Sequence, residues 1–109
     1  MAATPLVTYK QIIKQQAPVS PSEFLDLLDK GRNGDEAALR ALAASYLDVC
    51  LQVVEREFPN VDETSELELL QEANAAMMRA VASFSGQEPT ELTEHIERAV
   101  LRHLRSVEA

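Results

Sequence analysis

From Leu39 to Phe58, apolar residues recur every three or four positions: Leu39, Leu42, Ala43, Tyr46, Val49, Cys50, Val53, Val54 and Phe58. That period predicts one uninterrupted α-helix. Asp35 and Glu36 lie in its first turn, where carboxylates suit the helix dipole, and Pro59 stops it. A second long pattern runs through Leu67, Leu69, Leu70, Ala73, Met77, Ala80, Val81 and Phe84. Thr64 or Ser65 can cap it, Ser65 with Glu68 reads as a capping box, and Ser85-Gly86 closes it. A further helix is expected to begin near Pro89 or Thr90, with Leu92, Ile96, Ala99, Val100, Leu104 and Val107 on or beside one face. Upstream, Ser20-Pro21-Ser22-Glu23 forms another capping box, with proline at the first helical position. Phe24, Leu25, Leu27 and Leu28 follow, and Gly31 is expected to adopt the left-handed turn that ends this helix, before an Arg32-Asn33-Gly34 turn. Residues 1–19 read as an N-terminal tail or a short extra helix, with Leu6, Tyr9, Ile12 and Ile13 at helical spacing before Pro18. The expected fold is an all-α bundle of four main helices, residues 20–109 making one domain.

Composition agrees with helices and narrows the chemistry. The 109 residues are 46% hydrophobic, enough for a core, yet only 5% aromatic, with no Trp. The core must therefore be built mostly from Leu, Ala and Val. Three glycines and five prolines are few for a turn-rich β-sandwich or barrel. No apolar run approaches the roughly 20 residues of a membrane span, and the N-terminus lacks the basic-then-apolar layout of a signal peptide. The single cysteine, Cys50, has no partner for an internal disulfide. Together these features point to the cytoplasm.

Charge changes the picture further. Eighteen acids against ten bases give a net charge of −8, which opposes autonomous binding to nucleic acid or to an anionic membrane. The acidity is concentrated: residues 20–72 carry 13 acids and 4 bases, whereas residues 73–109 carry 5 and 4. Two readings fit this. One is an acidic face built for a basic partner, and the other is a solvated surface that keeps a small domain apart from its neighbours.

Catalytic signals are sparse. His95 and His103 stand eight residues apart on one predicted helix, about 12 Å along its axis and too far apart to share a metal. No Glu-x-x-His pattern repeats, there is no phosphate-cradling glycine loop, and no nucleophile elbow occurs. Cys50 lies on an apolar stripe and reads as a buried structural thiol. No enzyme, cofactor or metal is expected. Met77 reads as core beside Val81 and Phe84, whereas Met78 points about 100° away. Glu68, Gln71, Glu72, Asn74 and Met78 then form a grouping of acids and amides with one flexible apolar residue, suited to a basic helix.

The stretch Glu68-Leu69-Leu70-Gln71-Glu72-Ala73-Asn74-Ala75-Ala76-Met77-Met78-Arg79-Ala80-Val81, followed by Phe84, resembles region 2 of the sigma-70-family RNA polymerase sigma factors. That family's pattern runs Asp-Leu-Ile-Gln-Glu-Gly-Asn-x-Gly-Leu-Met-Arg-Ala-Val and then Phe. Upstream, Gly34-Asp35-Glu36 and the run to Val54 look like the family's preceding helix, so the likeness covers residues 34–84 well and 85–107 poorly. In that family this helix docks on the clamp helices, a coiled coil of the largest subunit of the bacterial polymerase core. The resemblance implies that Glu68, Gln71, Glu72, Asn74 and Met78 face the polymerase.

The departures shape the expectation. Ala73 and Ala76 replace the family's two glycines. No aromatic follows Phe84, so the base-stacking platform that melts promoters is missing. Arg98, Arg102 and Arg105 are the candidate DNA contacts, diluted by Glu94, Glu97 and Glu108. If these 109 residues are the full chain, no room is expected for a helix-turn-helix reading the upstream promoter element. The expected function is polymerase docking with weak or no autonomous promoter binding, acting alone or with a second protein that supplies promoter recognition. The alternative is a non-catalytic helical interaction module, such as a homodimer, that reuses the fold.

Overall fold

The computed structural model describes residues 4–16 and 19–108. They form an all-α bundle of six helices: α1 (Pro5–Gln15), α2 (Pro21–Arg32), α3 (Glu36–Ala44), α4 (Leu47–Glu57), α5 (Glu63–Ser83) and α6 (Pro89–Glu108). The expected count of four main helices is therefore corrected to six. One extra helix is α1, whose expected stop at Pro18 lies outside the described residues. The other comes from a break in the supposedly continuous helix at Ser45-Tyr46, where α3 and α4 meet at a 48° bend.

Neither proline nor glycine causes that break. The amides of Ser45 and Tyr46 bond three residues back, to the carbonyls of Leu42 and Ala43, and the Ser45 hydroxyl donates to the Leu42 carbonyl at 2.6 Å. A serine that competes for a backbone carbonyl loosens the four-residue ladder and bends a helix. The bend lets Leu42 and Ala43 on one segment, and Val49, Cys50, Val53 and Val54 on the next, all enter the same core.

Local chemistry explains the other ends. Ser20 accepts the Glu23 amide at 3.3 Å, while its hydroxyl donates to the Glu23 carboxylate at 3.0 Å. Gly31 does not end α2 as expected. It lies buried within the last turn, where a Cβ would meet Leu39 Cδ2 at 2.5 Å, so its role is close approach between α2 and α3. The left-handed residue is Gly34, with φ of +97°. Asp62 caps α5 in place of Thr64 or Ser65, accepting the Ser65 amide at 2.8 Å. That bond holds the Asp62 carboxyl below its ordinary range.

The longest helix, α5, organises the bundle: α6, α4, α3 and α1 all pack against it, and α2 joins through α3. Leu42, Cys50, Val54, Leu70, Ala73, Leu92, Ile96, Val100 and Leu104 are fully buried. Among the described residues no single helix is long and apolar enough to cross a membrane; α3 with α4 meets that test only as a bent pair, and both line the core.

Candidate functional site

Because α5 is one continuous helix of 21 residues, its surface divides by angle at 100° per residue. Leu69, Leu70, Ala73, Ala76, Met77, Ala80 and Val81 are buried, and they define the inward face. Opposite them runs a strip of Thr64, Glu68, Gln71, Ala75 and Ala82, all exposed, with the half-buried Met78 among them. The helix thus keeps an open stripe that the remaining helices do not cover.

Two neighbours flank this stripe. On one side lies α1, held by Lys10, whose ammonium sits 3.2 Å from Glu66 and 3.7 Å from Glu55. Also on this side, Asn74 Nδ2 donates to the Tyr9 hydroxyl, and Asn74 Oδ1 is buried with no partner among the described residues. Burial, followed by the nearby Cys50, pushes the Tyr9 phenol above its usual pKa. On the other side lies α6. His103 Nε2 stands 2.6 Å from a Glu72 oxygen, and the Arg79 guanidinium stands 3.4 Å from Nδ1 of the same ring. A neutral imidazole carrying its proton on Nε2 donates to the carboxylate and accepts from the arginine, so one tautomer serves both contacts.

The expected docking set is accordingly divided. Among the described residues Glu68 and Gln71 have no side-chain partner on the open stripe, and with Glu72 they line a shallow cleft of about 240 Å³ that the exposed Val107 of α6 also borders. Glu72 is half engaged by His103. Asn74 faces α1 and is committed to Tyr9. Met78 packs its stem against the core while keeping part of its surface open. The candidate DNA contacts divide too: Arg98 and Arg102 share a groove between α5 and α6, whereas Arg105 reaches Glu57 of α4 at 3.5 Å.

Sequence reasoning missed the roles of four residues. Tyr9 was read only as a spaced apolar position, because nothing local links it to a residue 65 positions away. Arg79 stood inside the quoted motif without being assigned a role. Ser83 and His95, which share the α5–α6 groove, lie 12 residues apart on different helices.

Chemistry elsewhere is structural. Cys50 is fully buried on α4, its thiol 3.8 Å from the Ala73 carbonyl, and burial raises its pKa to about 12. A thiol so protonated is a poor nucleophile. Arg32 donates to the Phe84 and Gly86 carbonyls and lies over the Phe84 ring, fastening the end of α2 to the α5–α6 loop. Among the described residues, no three His, Cys, Asp or Glu side chains converge as metal ligands would. No protein-family model matches the chain, and no curated protein matches it.

Proposed function

We propose that this chain is a bacterial, cytoplasmic, non-enzymatic transcription regulator that docks on the clamp helices of RNA polymerase through the open stripe of α5. The observation that carries the reading is the uncovered run of Glu68, Gln71 and Met78 between α1 and α6. Its two polar side chains and one thioether match the resemblance to sigma region 2. Acidic and amide groups on a rigid helix suit the long basic side chains of a partner coiled coil, and a partly open methionine adapts to its apolar seam. In this reading Glu72 contributes from the edge of the stripe, and Asn74 acts indirectly, by holding α1 beside it. Promoter DNA is bound weakly or only within a complex, and a second protein supplies promoter recognition.

The test is binding of the purified chain to the isolated clamp-helix fragment of a bacterial polymerase at two salt concentrations. Binding should weaken with salt, because the charged contacts are exposed. Glu68→Arg should lower affinity by about tenfold or more, the order expected from reversing a rim charge. Asp26→Arg, on exposed α2, should leave affinity within about twofold. Absence of binding at micromolar concentration, or equal binding by Glu68→Arg, would overturn the proposal. So would sedimentation showing a stable homodimer with no affinity for the fragment.

A further inference from the structure

The α5–α6 groove carries a second inference that does not depend on polymerase docking. Arg79, Ser83, His95, Arg98 and Arg102 line it, with alanines between them, around a space of about 230 Å³. All three arginines are exposed, and among the described residues none of them makes an ion pair. Elsewhere Lys10, Lys30, Arg40, Arg56 and Arg105 have carboxylate partners, whereas Lys14 and Arg32 have none among the described residues. Three guanidinium groups share this groove with no carboxylate among the residues that line it, in a chain of net charge −8. Arg98 and Arg102 are one helical turn apart, a spacing at which like charges repel. Glu94, one turn before Arg98, borders the adjacent cleft with it.

A bound oxyanion relieves that repulsion. Guanidinium forks match phosphate oxygens in a bidentate way. The Ser83 hydroxyl, now 3.2 Å from the Ala80 carbonyl and 3.5 Å from His95 Nε2, adds a donor that can turn toward the ligand. Arg98 and Arg102 lie about 6 Å apart along the axis of α6, which spans two phosphoryl groups better than one. The groove offers no flat aromatic floor for a base, since Phe84 is buried and meets His95 at a ring separation of 5.8 Å. Recognition then falls on the phosphates themselves. We propose that this groove binds the diphosphate group of a small phosphorylated molecule, held by Arg79, Arg98 and Arg102 with Ser83 as a neutral donor.

Calorimetric titration of the intact chain with inorganic pyrophosphate, at constant ionic strength with chloride as the control anion, tests this. Saturable one-to-one binding is expected, and the double variant Arg98→Ala/Arg102→Ala should weaken it by about tenfold or more, as loss of charge-assisted forks does. Arg105→Ala, which removes one positive charge three residues after Arg102, should leave it within about twofold. Circular dichroism should show the same helicity in both variants, because these side chains are exposed. A parallel titration with a short single-stranded oligonucleotide separates sources. If the oligonucleotide binds through Arg98 and Arg102 while pyrophosphate does not, the groove reads nucleic-acid backbone and the proposal fails. No heat at millimolar pyrophosphate, or equal loss in the Arg105 variant, overturns it too.

Discussion

Tyr9→Phe isolates what joins α1 to the rest of the bundle. The Tyr9 hydroxyl is the partner of the Asn74 amide, and Asn74 Oδ1 already has none. Phenylalanine keeps the ring and its packing, so the change deletes a hydrogen bond and little else. It leaves a half-buried amide with neither end satisfied, a loss worth roughly 1–3 kcal/mol in general. Both residues are only partly buried, and phenylalanine no longer has a hydroxyl to desolvate, so the low end applies: about 1 kcal/mol. With roughly 2.1 cal/mol/K of unfolding entropy per residue, a chain of this length should lose about 4 °C in Tm. Urea denaturation followed by circular dichroism measures it. Asn74→Ala removes the orphaned oxygen together with the donor, so the double variant should be no less stable than Asn74→Ala alone. The cycle should yield a coupling of about 1 kcal/mol, well above the ~0.3–0.5 kcal/mol scatter of independent sites. Additive effects, or a Tyr9→Phe variant as stable as the parent, would refute the contact between Tyr9 and Asn74.

Other expectations follow from the same geometry. Gly34→Ala should destabilise by about 1–2 kcal/mol, because φ of +97° is strained for an L side chain. Gly31→Ala should also destabilise, since a Cβ there meets Leu39 Cδ2 and Cγ and overpacking outweighs the roughly 1 kcal/mol gained in helix propensity. Chemical denaturation of both variants checks the pair, and a more stable Gly31→Ala would show that Leu39 moves aside freely. Cys50 makes stability depend on alkaline pH. Its thiol pKa is near 12 folded against 9.0 for the free group, so above pH 9.0 the unfolded chain loses a proton that the folded chain keeps. Stability should therefore fall as pH rises through that window, by about 1.4 kcal/mol between pH 8 and pH 10 from this group alone. Cys50→Ala should remove that part of the slope, and an unchanged slope would contradict a buried, protonated thiol.

The helices that were read most fully from the chain are those whose signals are local. α2, α5 and α6 each follow an apolar period, with a proline or a capping side chain at the start, and these act over four residues. The cap of α5 lies two or three positions before the expected Thr64 or Ser65, because Asp62, Thr64 and Ser65 can all accept an amide and only the path of the chain after Pro59 selects Asp62. Gly31 departs from its expected role because a glycine near a helix end has two uses, left-handed backbone and close packing, which look alike in sequence. The bend between α3 and α4 was invisible for a related reason. Apolar residues keep their three- and four-residue steps through Ser45-Tyr46, although the backbone hydrogen bonds there change partners.

For the site, sequence alone determined that α5 would be amphipathic and that Glu68 and Gln71 would point away from its buried side, because side-chain direction along a helix follows from its pitch. It also determined an acidic, tryptophan-free, helical chain. Which parts of that polar face remain open was decided only by the tertiary structure. α1 takes Asn74, α6 engages Glu72, and the stripe between them is left uncovered. The same packing draws Arg79 of α5 to Arg98 and Arg102 of α6 and turns Arg105 toward α4. Contacts between helices distant in the chain depend on how each helix rotates and tilts to bury its own apolar stripe, and that is a property of the assembled core.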